Sequence, residues 1–404
     1  MKARYPYLIY PTRTQQLALS KLFGCVRVVW NDALAHCMAE YRAGNKKPKN
    51  AFLQKRFITQ AKKTDERLWL SEVSNIPLQQ SLNDLEQAYQ NFFQSCTGER
   101  FGKPVKPPKF KKRRASQSAR FRQGGFKIEQ TSVYLAKIGK LKTIWTRELP
   151  SEPTSVTVIK DAARRYFLSF VVEVEQSILP VSNKSVGLDL GIATFATLDT
   201  GEKIDAPKPL KKRIQRLRRL SKNLSRKTRG SQRYERARKR KARLNAKLKD
   251  TRTDFLHKLS TRLIRENQTI ILEDLNVAGM VKNRKLSRAI SDLGWRQFRT
   301  LLEGKASKYG RELRIINRWE PTTQRCSNCG ELGGKKELSV REWQCLFCGV
   351  HHDRDINAAI NIKVAGGQSE TKNGRGVKRK TSVKVAADCE ASTHLEPIQL
   401  SLFG

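Results

Sequence analysis

Apolar residues in the first hundred positions recur every three or four residues. Leu17, Leu19, Leu22, Phe23, Val26, Val29, Trp30, Ala33, Leu34 and Cys37 form one such stripe. Leu78, Leu82, Leu85, Ala88, Tyr89, Phe92 and Phe93 form a second, with Pro77 suited to its first turn, and both predict amphipathic helices with a common core. The pattern then shifts to β-branched and aromatic runs at Thr154 to Val158 and Tyr166 to Val174, which predict strands of a small barrel or sandwich. A second half begins near Val186. Val186 to Leu190, Thr194 to Leu198 and Lys203 to Asp205 are separated by Gly191 and by Asp199-Thr200-Gly201, as in antiparallel strands joined by turns. Asp199 is read there as a turn residue. Leu210, Ile214, Leu217 and Leu224, resumed by Leu244 and Leu248, mark two antiparallel helices. Phe255 to Ile264 predicts a further helix, followed by a strand closing on Glu273, a helix through Trp295, Phe298, Leu301, Leu302 and Tyr309, and a strand from Leu313 to Trp319. With the paired helices set aside as an insertion, the order β-β-β-α-β-α-β is that of a ribonuclease H-like domain. Ile356, Ala359, Ile360 and Val364 predict a last helix packed on its sheet.

Charge changes what this architecture is for. Lys and Arg number 81 against 37 Asp and Glu, a formal charge of +44, and the expected partner is a polyanion. Residues 206–250 carry twenty basic residues against Glu235 and Asp250. Without a partner such a hairpin would repel itself, so Arg216, Arg219, Arg236 and Arg240 are assigned to nucleic acid. Residues 102–122 hold nine basic residues, no acidic ones and three prolines, and read as an extended loop whose Lys111, Lys112, Arg113 and Arg114 touch phosphates. A chain of 404 residues exceeds one compact core. No run of eighteen apolar residues occurs, and Met1-Lys2-Ala3-Arg4-Tyr5-Pro6 lacks a signal-peptide core, so a soluble, cytoplasmic protein with no membrane partner is expected.

Two constellations carry chemistry. Cys326-Ser327-Asn328-Cys329 and Cys345-Leu346-Phe347-Cys348 form two C-x2-C knuckles, each followed by a glycine, Gly330 and Gly349. This predicts a closed four-thiolate site for structural Zn2+, with His351 and His352 outside it. Cys25, Cys37, Cys96 and Cys389 show no such spacing and are read as ordinary thiols. Asp189, Glu273 and Asp355 each lie where an apolar strand ends or an apolar helix begins. Carboxylates there are costly alone and tolerable beside divalent cations. Hard cations require oxygen ligands, and two Mg2+ ions about 3.5–4 Å apart would activate water and neutralise charge at phosphorus. Glu273 shares a strand face with Ile271, and Asp274 points the other way. Asp355 lies one helical turn before Ala359, on the face meeting the sheet, and Asp353 is better placed as a cap.

Val186-Gly187-Leu188-Asp189-Leu190-Gly191, Leu272-Glu273-Asp274-Leu275-Asn276, the four-cysteine segment and Asp353-Arg354-Asp355-Ile356-Asn357-Ala358-Ala359 resemble the split nuclease motifs and zinc module of the TnpB (OrfB) family of insertion sequences. Ile9-Tyr10-Pro11-Thr12, Gln15, Phe23-Gly24 and Val29-Trp30-Asn31 extend the resemblance, which covers about residues 1 to 365. It implies an RNA-guided DNA endonuclease of bacteria or archaea, nucleoid-associated, related to type V CRISPR effectors. Its partners would be target DNA and a guide RNA made from the transposon end. The implied fold is multidomain α+β: a wedge β-barrel over 1–15 and 111–180, a helical recognition domain over 16–110, and a RuvC-like nuclease domain over 181–321 and 351–365. The zinc ribbon is inserted at 322–350, and 366–404 is a basic, disordered tail. Catalytic and Mg2+ roles carry over to Asp189, Glu273 and Asp355, and zinc ligation to Cys326, Cys329, Cys345 and Cys348. Two other readings remain from the residues. A transposase of the small kind would need a tyrosine near paired histidines, and His351-His352 has none beside it. A guide-directed binding regulator would lack one of the three acids.

Overall fold

A computed structural model describes residues 1–367 apart from Phe101 and Leu338. Cys389 and the predicted tail from 368 onward lie outside the described residues. The chain divides into two compact units, with the described boundary between Val174 and Glu175.

In the first unit, strand β1 (Lys2–Ile9) runs into helix α1 (Arg13–Arg42). Thr12 starts the helix with a capping box: Gln15 N–H donates to its Oγ1 at 3.3 Å, and Thr12 N–H donates to Gln15 Oε1 at 3.0 Å. A short helix α2 (Asn50–Gln54) passes through π and 3-10 turns to α3 (Asn75–Cys96). The α1 stripe is buried from Leu19 to Cys37, whereas Leu17 is exposed, because it stands two residues from Leu19 and so on another helical face. Strands β2 (Gln117–Arg122), β3 (Phe126–Ile128), β4 (Ser132–Leu135), β5 (Gly139–Ile144), β6 (Ser155–Lys160) and β7 (Tyr166–Glu173) join β1 in one antiparallel sheet of order β2-β6-β7-β1-β5-β4-β3. The basic loop is therefore shorter than expected. Its last six residues are the strand β2, whose alternation buries Ala119 and Phe121. Burial pushes the Cys25 and Cys37 thiols up to about 11, as befits inert core cysteines.

In the second unit, β8 (Ser185–Asp189), β9 (Ala196–Leu198) and β10 (Lys203–Ile204) are antiparallel neighbours. The sheet continues with β11 (Thr269–Glu273) and β12 (Glu312–Ile316), both parallel to β8, in the order β10-β9-β8-β11-β12. Helix α4 (Pro209–Ser225) and helix α5 (Gln232–Glu266) form the expected antiparallel pair. The helix predicted separately at Phe255 to Ile264 is the C-terminal part of α5, because no glycine or proline interrupts residues 232–266. α4 has no side-chain cap of its own. The carboxylate of Asp292 supplies one, accepting the Leu210 and Lys211 N–H groups at 3.0–3.1 Å from the end of α7.

Short helices α6 (Val277–Met280) and α7 (Ser287–Leu293) lead to α8 (Trp295–Tyr309). The C-terminal half of α5, with α8, buries one sheet face through Leu256, Leu263, Phe298 and Leu302 against Val186, Leu188, Ile270 and Leu272. The opposite face receives α9 (Arg354–Ala365), where Ile362 meets Ile271 and Ile316. This helix crosses so closely over β8 that a Cβ on Gly187 would lie 2.3 Å from the Ala359 carbonyl oxygen. Two short strands, β13 (Glu342–Gln344) and β14 (His351–Asp353), pair antiparallel between β12 and α9. No helix among the described residues is long and apolar enough to cross a membrane.

Candidate metal and nucleic-acid sites

Strand alternation decides where the carboxylates go. Gly187 and Ile271 face α9, so Asp189 and Glu273, each two residues further along its strand, face the same side. The register pairs Leu188 with Leu272, which places Asp189 and Glu273 at neighbouring strand ends. Asp355 opens α9 on that side of the sheet. Burial, then Asp355 and Glu273, push the Asp189 carboxyl up to about 7 against the opposing charge of Arg354. Glu273 is also raised, by burial and then by Asp274, with Arg318 opposing. Such a cluster favours a cation at its centre. Among the described residues the three carboxylates do not draw within 4.8 Å of one another as the cysteines do, consistent with repulsion between like charges. Arg341 Nη1 stands 3.4 Å from Asp355.

Asp353 has a different position. It caps α9, accepting the Asp355 and Ile356 N–H groups at 3.0 Å each, and pairs with Lys203 Nζ at 2.6 Å. Burial alone would raise its pKa, but Lys203 and the capping N–H groups hold it below the usual carboxylate range. Asp274 points away from Glu273's face, held by Arg299 at 2.7 Å and by Arg318.

Asp199 is more than a turn residue. Its Oδ1 accepts the Gly187 N–H at 3.0 Å and its Oδ2 meets Lys363 Nζ at 2.8 Å, with both side chains under a tenth exposed. Lys363 lies two turns beyond Asp355 on α9, so the buried pair ties that helix to β8 two residues from Asp189. Losing one partner of such a pair costs about 3–5 kcal/mol. The sequence signal was faint, a lysine directly between Ile362 and Val364 of the last helix.

The knuckles close as spacing requires. Cys326 and Cys348 Sγ lie 3.7 Å apart, as do Cys329 and Cys345, and all four sulfurs fall within 4.8 Å of one another. A tetrahedron with metal–sulfur bonds of about 2.3 Å has edges of about 3.8 Å, so the set fits zinc. Gly330 and Gly349 adopt φ of +83° and +72°, which allows their N–H groups to reach the Cys326 and Cys345 carbonyls. His352 is not a fifth ligand. Its ring lies tilted against Trp343, with centroids 4.9 Å apart, and its Nε2 lies 3.0 Å from Cys326 Sγ, where an N–H would stabilise thiolate charge.

Asn357 and Asn361, missed in the sequence, join this module to α9. The Asn361 amide donates to the Thr322 and Arg325 carbonyls at 2.7–2.8 Å, and Asn357 Oδ1 accepts the Ser327 N–H at 2.8 Å. Two asparagines four apart on a helix face meant for the core were the available clue. Cys329→Ser or Cys348→Ser is expected to lower bound zinc from about one per chain to near zero and to loosen the segment around Asn357. Full metal retention by elemental analysis in either variant would contradict four-thiolate binding.

The cationic residues divide. Arg216 and Arg240 meet across α4 and α5, with Arg213, Arg243 and Lys247, around a cleft of about 440 Å3. Arg219 and Arg236 are exposed on the same helices, outside that cleft. In the other unit Lys112, Arg113 and Arg114 are exposed, but Lys111 is turned inward. Its Nζ lies 3.9 Å from the centre of the Trp30 ring, its backbone is clamped by Asn31, and burial lowers its pKa to about 8. Lys111 is thus a packing residue, because the loop must cross α1 there.

A mixed sheet with clustered carboxylates at its strand ends and a thiolate ribbon before the last helix places the chain among the nucleases. Family models match it at residues 169–284 (OrfB of IS605, "Probable transposase"), 295–362 ("Cas12f1-like, TNB domain") and 1–46 ("Helix-turn-helix domain"). In this chain residues 1–46 hold β1 and the single uninterrupted helix α1. The chain is 44% identical over 371 residues to a Streptomyces pristinaespiralis protein named "Putative RNA-guided DNA endonuclease", covering 91% of this chain and 90% of that one. It is 30% identical to Escherichia coli "Putative RNA-guided DNA endonuclease InsQ", covering 90% and 92%. A cryo-EM structure of a Cas12f1–sgRNA–target DNA complex shares the fold, with a TM-score of 0.50 at 14% identity over 86% of this chain and 82% of that one. The chain belongs to the TnpB (OrfB) family.

Proposed function

We propose that the protein is an RNA-guided DNA endonuclease that hydrolyses phosphodiester bonds at a RuvC-like site formed by Asp189, Glu273 and Asp355. The observation that supports this reading is the placement of the acids: Asp189 and Glu273 stand at neighbouring strand ends on the face that α9 covers, and Asp355 lies in that helix's first turn. The oxygen-only donor set fits Mg2+, and two such ions would supply an activated water and neutralise charge on the departing oxygen. The chain's own residues place the acids: β8 and β11 present two on one face, Asp353 caps the helix carrying the third, and Asp199–Lys363 sets that helix's position on the sheet. All three acids are present, which speaks against a binding-only regulator. Zinc at the four cysteines is structural. The guide would be RNA from the transposon end, with residues 1–15 and 111–180 acting as the wedge barrel and 16–110 as the recognition domain.

Lys112, Arg113, Arg114, Arg216, Arg219, Arg236 and Arg240 would grip nucleic-acid phosphates. With on the order of ten phosphate contacts, RNA affinity is expected to fall steeply with salt, by a log–log slope of roughly −0.7 to −0.9 per contact. Neutralising Arg216, Arg219, Arg236 and Arg240 to glutamine should flatten that slope by about three. An unchanged slope in filter-binding titrations would remove the hairpin from the interface.

A further inference from the structure

Trp319 is 83% exposed, whereas Trp30, Trp295 and Trp343 are buried. It follows β12 in a hydrogen-bonded turn: Asn317 Oδ1 accepts the Trp319 N–H at 3.1 Å, and the Asn317 carbonyl accepts the Glu320 N–H at 3.2 Å. The turn's backbone is therefore ordered, and the indole it carries stands in solvent. The β11–β12 register pairs Glu273 with Ile316, and the Asp274 N–H donates to the Ile316 carbonyl at 3.1 Å. Three residues span at most about 10 Å, so Trp319 lies on the same sheet edge as the acid Glu273. Arg318, immediately before it, is anchored on Asp274, Glu273's neighbour.

We propose that Trp319 is a stacking platform for one unpaired base of the DNA strand led to the carboxylates. The inference rests on the nuclease reading. An exposed indole on the strand-end edge that carries Glu273 offers an unpaired base a face to stack on, and a chain of charge +44 draws polyanions to such an edge. A base inside a duplex has both faces covered by its neighbours, so the platform selects a strand already separated, within one or two nucleotides of the cut. A stacked base contributes roughly five- to a hundred-fold in affinity.

The test places 2-aminopurine at successive positions of the cut strand in the complete protein–RNA–DNA complex. Quenching confined to one or two positions is expected for the wild type and Trp319→Phe, and its loss for Trp319→Ala. Trp319→Ala should also slow cleavage roughly tenfold at limiting DNA. An abasic nucleotide at the quenched position should slow the wild type equally and leave the variant no slower. Wild-type quenching and cleavage in Trp319→Ala, or the same loss at every abasic position, would overturn the proposal. Absence of any cleavage by the wild type would instead count against the nuclease reading, and quenching alone would then decide the stacking.

Discussion

Replacing Asp189 by asparagine is expected to lower DNA cleavage at least about 1000-fold, the loss of about 4 kcal/mol of transition-state stabilisation that a displaced catalytic cation entails. The same substitution should stabilise the metal-free protein. The Asp189 carboxyl titrates near 7 in the fold and near 3.8 when unfolded. Below about pH 4 both states hold the proton and the group is neutral to stability. As pH rises toward 7 the unfolded chain releases the proton first, so the folded state is progressively disfavoured, and above 7 the cost is complete. That cost is on the order of 2–4 kcal/mol, which Asp189→Asn removes. Thermal melts without divalent ions should therefore show the variant several degrees more stable at pH 8, with the gap narrowing toward pH 4.5. Added Mg2+ should raise the melting temperature of the wild type and not of the variant. A variant that cuts at the wild-type rate would remove Asp189 from the site. Glu273→Gln and Asp355→Asn should lose cleavage equally, whereas Asp353→Ala should cost about 1 kcal/mol as a lost cap and keep substantial activity.

The elements that carry Asp189, Glu273 and the four cysteines were legible because each obeys a local rule. β8 and β11 are short apolar runs ending in acids, and the cysteine spacing dictated its own turns. Where sequence reasoning fell short, long-range packing decided. Nothing local says that Lys111 lies over Trp30, eighty-one residues earlier, or that Asp292 caps α4. The reach of α5 was underestimated because the change from basic hairpin to core helix alters its surroundings but not its backbone. Asp199 looked like turn chemistry since its partners, Gly187 and Lys363, are distant in sequence.

The second large effect is dependence on RNA. On the proposed reading the basic surfaces hold phosphates, which carry no sequence information, and so would not by themselves choose a cutting site. Sequence must come from pairing with a guide strand. Protein freed of RNA is accordingly expected to cut a correct DNA target at least about 1000-fold more slowly than the complex, even with Mg2+ present. The most direct measurement sequences the RNA that copurifies with the protein, rewrites its targeting segment, and reconstitutes the complex on two DNAs. Cleavage should move to the DNA that matches the rewritten segment and vanish in Asp189→Asn. Cutting that stays at the original DNA whatever the RNA, or proceeds efficiently without it, would contradict guidance and restore the transposase reading.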